Sequence, residues 1–268
     1  MKKLFSLFVL LMVAVGGYAQ SDDFGVYSTL SVEKKIDKKA SVGVEAEMRT
    51  RENLSTFDRW SIGVDGSYKL TKWLKASAGY TLLYDNNEKT TYKKYEKYKG
   101  DPILPNKYVK YWGIRHRFNV SLTGNVDLGD FNVSLRERWQ YTYRPSKTVP
   151  ERYDYKYQRS ETVAGGYEIE SYEMDGEEKT YNGKGKNVLR SRLQVEYSKK
   201  SFPLKPFASV ELHNSWPVEK VRFIVGADWK VTKQSTIGLN YRYDRLYDDS
   251  DDRKPNIHVL HATYKYKF

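Results

Sequence analysis

The chain has 268 residues, with 46 Lys and Arg against 34 Asp and Glu for a formal charge of +12; 15% of residues are aromatic and none is Cys. The lack of Cys excludes a disulfide scaffold, a thiolate zinc site, a Cys nucleophile and a lipidated N-terminal Cys. Past the first twenty residues no apolar run is long enough for a transmembrane helix, yet the chain is too aromatic and too regularly patterned for disorder.

Lys2 and Lys3 form a positive start, Leu4 to Val15 is apolar apart from Ser6, and Gly16, Gly17 and Ala19 supply small residues before Gln20. That order of segments predicts a secretory signal peptide over residues 1–19, cleaved after Ala19, and a single mature domain over residues 20–268. The apolar core is too short for a membrane anchor.

From there the chain alternates with a period of two. Phe24 to Ile36 is a weaker first strand. In Ala40 to Arg51, the residues Ala40, Val42, Val44, Ala46 and Met48 share one face and Ser41, Glu45, Glu47, Arg49 and Arg51 the other, as successive side chains of a strand must. The pattern returns in Arg59 to Leu70, Leu74 to Tyr84, Trp112 to Val126, Phe131 to Arg144, Val188 to Tyr197, Pro206 to Asn214, Val221 to Val231, Thr236 to Arg245 and Ile257 to Phe268. Roughly ten tilted residues suit a bilayer crossing. Trp60, Tyr68, Trp73, Tyr80, Tyr84, Trp112, Trp139, Tyr141, Tyr143, Tyr197, Trp229, Tyr241 and Tyr243 read as the aromatic girdles of such a wall.

Connections alternate as well. Ile36 to Lys39, Leu70 to Trp73, Asp127 to Asp130 and Val231 to Gln234 are tight turns, and Ser198 to Leu204 is slightly longer. Between them lie Glu52 to Phe57, Asp85 to Tyr111, Pro145 to Lys186, Ser215 to Glu219 and Leu246 to Pro255, read as longer polar loops. Short periplasmic turns with long outer loops predict an all-β fold: an antiparallel transmembrane barrel of about 10–12 strands in the bacterial outer membrane. A soluble sandwich would also alternate, but its core rarely needs so many long strands with charged faces. Ten strands satisfy the count from the C-terminus. Phe24 to Ile36 would be an eleventh, completed by an unseen partner strand or lying across the lumen or rim.

The last strand carries Leu260, Ala262, Tyr264, Tyr266 and Phe268 on one face. An apolar aromatic face ending in a terminal Phe resembles the signal read by the outer-membrane barrel assembly machinery, which makes Phe268, Tyr266 and Tyr264 candidates for that role.

The polar faces predict a lumen rich in Arg: Arg49, Arg51, Arg59, Arg115, Arg117, Arg136, Arg138, Arg190, Arg192, Arg222 and Arg242. Glu45, Glu47, Asp65, Glu196, Glu211 and Asp228, with Asp244, are the acidic partners. Arg binds carboxylates in a two-pronged fashion and stays charged. One reading is a salt-bridged interior that fills a narrow barrel; the other is a basic passage for small anionic solutes. Small barrels are filled by their own side chains, which favours the first.

Catalysis of the outer-membrane phospholipase type would need a Ser–His pair oriented by a third polar group. His116, His213, His258 and His261 are available, none in a His-x-Ser arrangement. No catalytic residue, cofactor or metal site is predicted. Asp248, Asp249, Asp251 and Asp252 lack the Gly turn and terminal Glu of a calcium loop. Interleaved Tyr and Lys over Thr91 to Lys110 and Arg152 to Arg159 suit base stacking, but a secreted barrel meets little nucleic acid. Hairpin extensions of the wall explain the same alternation. Outer-membrane lipid and lipopolysaccharide are the expected partners.

Asp58 to Gly63, Arg115-His116-Arg117-Phe118, Leu135 to Tyr141, Leu189 to Leu193, Pro206 to Glu211 and Arg222 to Asp228 together resemble a Bacteroidota outer-membrane family, domain of unknown function 2490. The resemblance spans Gln20 to Phe268. It implies an outer-membrane barrel and no established reaction, substrate or catalytic residue.

Overall fold

The computed structural model describes residues 22–94, 103–161, 167–199, 202–247 and 256–268. The segment read as a signal peptide, Tyr95 to Lys99 of the Tyr–Lys stretch and the cluster Asp248 to Asp252 lie outside the described residues.

Thirteen strands follow one another: β1 (Asp23–Lys35), β2 (Ala40–Arg51), β3 (Thr56–Lys69), β4 (Leu74–Lys94), β5 (Ile103–Leu128), β6 (Phe131–Arg144), β7 (Lys147–Glu161), β8 (Tyr167–Tyr181), β9 (Lys184–Tyr197), β10 (Leu204–Asn214), β11 (Val218–Lys230), β12 (Ser235–Leu246) and β13 (Ile257–Lys267). Eleven close into a barrel. Its wall runs from β1 through β6, steps across to β9, and continues to β13, which pairs with β1.

The closing pair corrects both expectations for the first segment. β1 neither lies across the lumen nor needs a missing partner. It pairs antiparallel with β2 on one side and parallel with β13 on the other, from Asp23 opposite Ile257 to Glu33 opposite Lys267. An odd number of up-and-down strands leaves the first and last pointing the same way, so a parallel seam is the only way to close. Parallel pairing is slightly weaker per residue, and extra bonds brace this seam. Asp22 accepts from Asn256 at 3.3 Å and pairs with His258 at 3.1 Å. Thr29 Oγ1 meets His261 Nε2 at 2.8 Å, and the Phe268 amide donates to the Glu33 carbonyl at 3.0 Å.

Apolar residues are turned outward. Ile62 is 55% exposed and Val64 54%, whereas Glu211 and Asp244 are 1% and 2% exposed inside. This inverts the arrangement of a water-soluble core and matches a wall with a lipid-facing band. Rings gather at both ends of the band. Tyr84 stacks on Trp112 and Phe223 on Tyr243 at the loop end, while Phe131 meets Tyr197 edge-on at the turn end. Tyr80 is an exception: it sits further into the wall, packed on Phe118 and bonded to His116.

Three turns share one device. Asp37 Oδ1 accepts from the amides of Lys39 and Ala40, both at 2.6 Å. Thr71 Oγ1 does the same for Trp73 and Leu74, and Thr232 Oγ1 for Gln234 and Ser235. Short side chains that bond the backbone two and three residues on are what make Asp and Thr turn formers. The Ala40 and Lys39 amides hold the Asp37 carboxyl below the usual carboxylate range.

The two segments read as the longest loops are largely strand. β4 and β5 keep pairing beyond the barrel, to Lys94 opposite Ile103. The β7–β8 hairpin leans on β5 through Lys107 to Val109. The result is a sheet standing above the loop end, with Tyr155, Tyr157 and Tyr172 clustered on it. The hairpin-extension reading of the Tyr–Lys alternation is the one the structure adopts.

The absence of native Cys makes the seam directly testable. In a Ser28→Cys, Ala262→Cys variant, the two thiols sit opposite each other on β1 and β13 and should oxidise to a disulfide in the folded barrel. Met48→Cys with Ala262→Cys should not, because β1 lies between them and two strand spacings of about 4.8 Å exceed disulfide reach. Gel mobility without reductant reads the result; efficient linkage of the second pair would mean that β1 is not in the wall.

Candidate functional site

The inward faces of β2 to β6 and β9 to β13 carry the charged groups. Period-two alternation aims them at one lumen, and strand register sets their heights. Arg136 lies opposite Arg192, Arg138 opposite Arg190, Arg192 opposite Glu211, Glu211 opposite Arg222, and Arg222 opposite Asp244. The register alone thus threads two carboxylates among arginines.

Glu211 is the centre of this thread. It accepts from Arg136 at 2.5 Å, Arg190 at 2.7 Å and Arg222 at 3.2 Å, and it contacts His213 Nε2 at 2.8 Å. Asp244 receives Arg222 through two nitrogens, at 2.7 and 3.0 Å, with Arg242 at 3.1 Å and Lys220 at 3.4 Å. A forked guanidinium–carboxylate contact of this kind is among the strongest polar pairs available to a protein. Across the lumen Asp85 binds Arg59, and Arg115 at 3.0 Å. Glu47 binds Arg49 at 2.6 Å. Tyr27 lies between Arg49 and Arg242, whose guanidinium carbons stand 4.5 and 4.4 Å from its ring centre; each face of the ring takes one cation.

Three guanidiniums stand outside these pairs. Arg138 donates to Ser121 Oγ at 2.9 Å. Arg117 and Arg192 make no hydrogen bond or ion pair among the described residues, and the Nε of each is buried. The ten arginines of the lumen therefore share five carboxylates, Glu47, Asp58, Asp85, Glu211 and Asp244.

The remaining acidic candidates sit elsewhere. Glu45 and Asp65 face the lumen nearer the turn end and are open to water. Glu196 pairs with Lys205 at 2.9 Å. Asp228 lines the turn-end mouth beside Lys205, Lys230 and Lys265. Cations are sorted along the axis: among the described residues lysines line the turn-end mouth, whereas the loop half holds mostly arginines, with Lys184, Lys186 and Lys220 among them. Arg51 lies at the loop-end rim, bonded to Glu88 at 3.2 Å. Tyr266 reaches Gln234, Tyr264 reaches Ser235, and Phe268 packs on Tyr266.

Asp85 escaped the sequence reading because it was assigned to a loop. The signal was present: Leu83, Asp85 and Asn87 continue the alternation of β4, and Asn87 accepts from Arg115.

Of the four histidines, His116 and His258 lie with outward tyrosines, bonded to Tyr80 and Tyr241. His213 and His261 point inward, to Glu211 and to Thr29. Among the described residues none bonds a Ser hydroxyl.

Residues 24–254 match the family model described as a protein of unknown function, DUF2490. The chain belongs to that family. No curated protein sequence matches it. Among solved structures, the beta domain of the Bordetella autotransporter BrkA is similar with 12% identity and a TM-score of 0.51, over 85% of this chain and 82% of that one. The NanC porin is similar with 15% identity and a TM-score of 0.42, over 88% and 89%. The first likeness is one of fold: this DUF2490 member is an all-β barrel of the outer-membrane type.

Removing the charge of Glu211 would leave Arg136, Arg190 and Arg222 without their shared counter-ion. Breaking a buried pair in this way costs about 3–5 kcal/mol. Glu211→Gln should lower the stability of the refolded barrel by that order, read by urea unfolding in lipid vesicles. Glu45→Gln, at a water-exposed position, should stay within about 0.5 kcal/mol.

Proposed function

We propose that this protein is an integral outer-membrane barrel, exported by a signal peptide over residues 1–19, that acts as a narrow passive passage preferring small anions. The turns then face the periplasm and the β4–β5 and β7–β8 extensions face outward, toward lipopolysaccharide. The carrying observation is that ten guanidiniums of one lumen share five carboxylates, which leaves Arg117 and Arg192 without one among the described residues.

The two sequence-level readings join here. The Glu211 and Asp244 cluster braces β9 to β12 and narrows the waist. Because it takes up carboxylates and leaves cations over, the same cluster makes the lumen positive. Rings of Arg favour anions at close quarters, and charge in a low-dielectric wall attracts them over a longer range than in bulk water. The terminal face with Tyr264, Tyr266 and Phe268 serves assembly in the membrane. A lipid-hydrolase role gains no comparable support, since the inward histidines are committed to lumen contacts.

Purified protein in a planar bilayer under a tenfold KCl gradient tests this. The reversal potential should lie on the chloride side, below the limit of about 59 mV for a univalent ion. An Arg117→Glu, Arg192→Glu variant changes two guanidiniums that hold no partner among the described residues, and should move it toward zero. Higher salt should weaken the preference in both, as screening shortens to about 3 Å at 1 M. A potassium-side reversal in the unaltered protein, or no conductance from folded barrels, would overturn the reading.

A further inference from the structure

A cavity of about 760 Å³ opens in the loop half of the lumen. Eleven Lys and Arg side chains and two carboxylates, Glu219 and Asp244, line it. Both carboxylates are already engaged. Asp244 is held by Arg222, and Glu219 by Lys186 and Ser215. Arg117 stands on this wall with a buried Nε and no partner. Arg59, Arg49, Arg190 and Asp85 are the charged groups that act on it most strongly, and Asp85 is shared by Arg59 and Arg115.

We infer that this cavity is a binding site for a small solute carrying two or more anionic groups, carboxylate or phosphate, with Arg117 as its central contact. The inference rests on the anion-preferring lumen proposed above. Several features favour a multiply charged ligand over a single ion. The positive charge lining the cavity is spread over separate strands: Arg117 on β5, without a carboxylate partner among the described residues, Arg190 on β9, which shares Glu211 with three other donors, and Arg59 on β3, which shares Asp85 with Arg115. One univalent ion reaches one of these at a time. A solute with linked anionic groups reaches several, and each contact after the first is intramolecular, which raises affinity without new chemistry. Guanidiniums also bind planar oxyanions through paired N–H groups, which a chloride cannot use. The volume suits a small molecule, and the buried cluster around Glu211 gives it a rigid floor. The Lys-rich mouth at the turn end offers flexible, solvated ammonium groups instead, with Glu196 and Asp228 among them.

Titration calorimetry of the folded barrel in detergent, with tripolyphosphate and with citrate, tests the site; acetate and inorganic phosphate are the comparison probes. At least one polyanion should bind about tenfold or more tighter than the single-group anions, and the stronger of the two shows whether phosphate or carboxylate is preferred. Arg117→Gln should weaken that binding about tenfold, the scale of one lost charge-assisted contact. Arg117→Lys keeps the charge and the space, so it should fold and fall between the two. Lys230→Gln, at the opposite mouth, should bind as the unaltered protein does. Equal affinity for polyanions and single-group anions, or polyanion binding that both Arg117 variants leave unchanged, overturns the inference. Conductance separates the two proposals: anion selectivity without polyanion binding removes the site alone, and polyanion binding by a barrel that never conducts removes the passage alone.

Discussion

A carboxylate taken out of water must find positive partners, and here that constraint organises half the wall. Glu211 is almost fully enclosed and is reached by Arg136 from β6, Arg190 from β9 and Arg222 from β11. Arg222 carries the chain of pairs on to Asp244 of β12. A one-residue slip of any of these strands would turn its arginines to the outer, mostly apolar face. The polar cluster therefore fixes register as well as charge, while the mostly apolar outward face distinguishes one register from another chiefly by shape.

The same cluster explains how a barrel can be both braced and positive. Pairing is uneven. Glu211 has four donors, Asp85 has two arginines, and among the described residues Arg117 and Arg192 have no anion. If the interior served bracing alone, each surplus guanidinium would cost desolvation with no return. Under the passage proposed above, surplus cations on a water-reachable wall acquire a purpose when anions come and go beside them.

Closure depends on a second constraint. Eleven strands force β1 and β13 to run in parallel, so the chain enters the wall at the loop end and leaves it at the turn end. The seam is buttressed at its loop end by Asp22 with His258, at mid-height by Thr29 with His261, and at its turn end by Glu33 with Lys265 and Lys267. Both seam histidines are thereby accounted for as structural groups.

Much of this was legible in the residues themselves. Alternation in segments such as Ala40 to Arg51 and Phe131 to Arg144 is a local property of a strand, so it marks the wall, its two faces and the arginines that point inward. The repeated Asp37, Thr71 and Thr232 turns are local as well, since each side chain bonds backbone two and three residues away. What the tertiary structure decided is everything that joins distant strands. The parallel seam was hidden because no stretch of sequence records which strand meets which. Asp85 was hidden because a strand that runs on beyond the apolar alternation looks like a polar loop. Which arginines are paired and which are free depends on side chains brought together from five or more strands, and only closure of the barrel sets those distances.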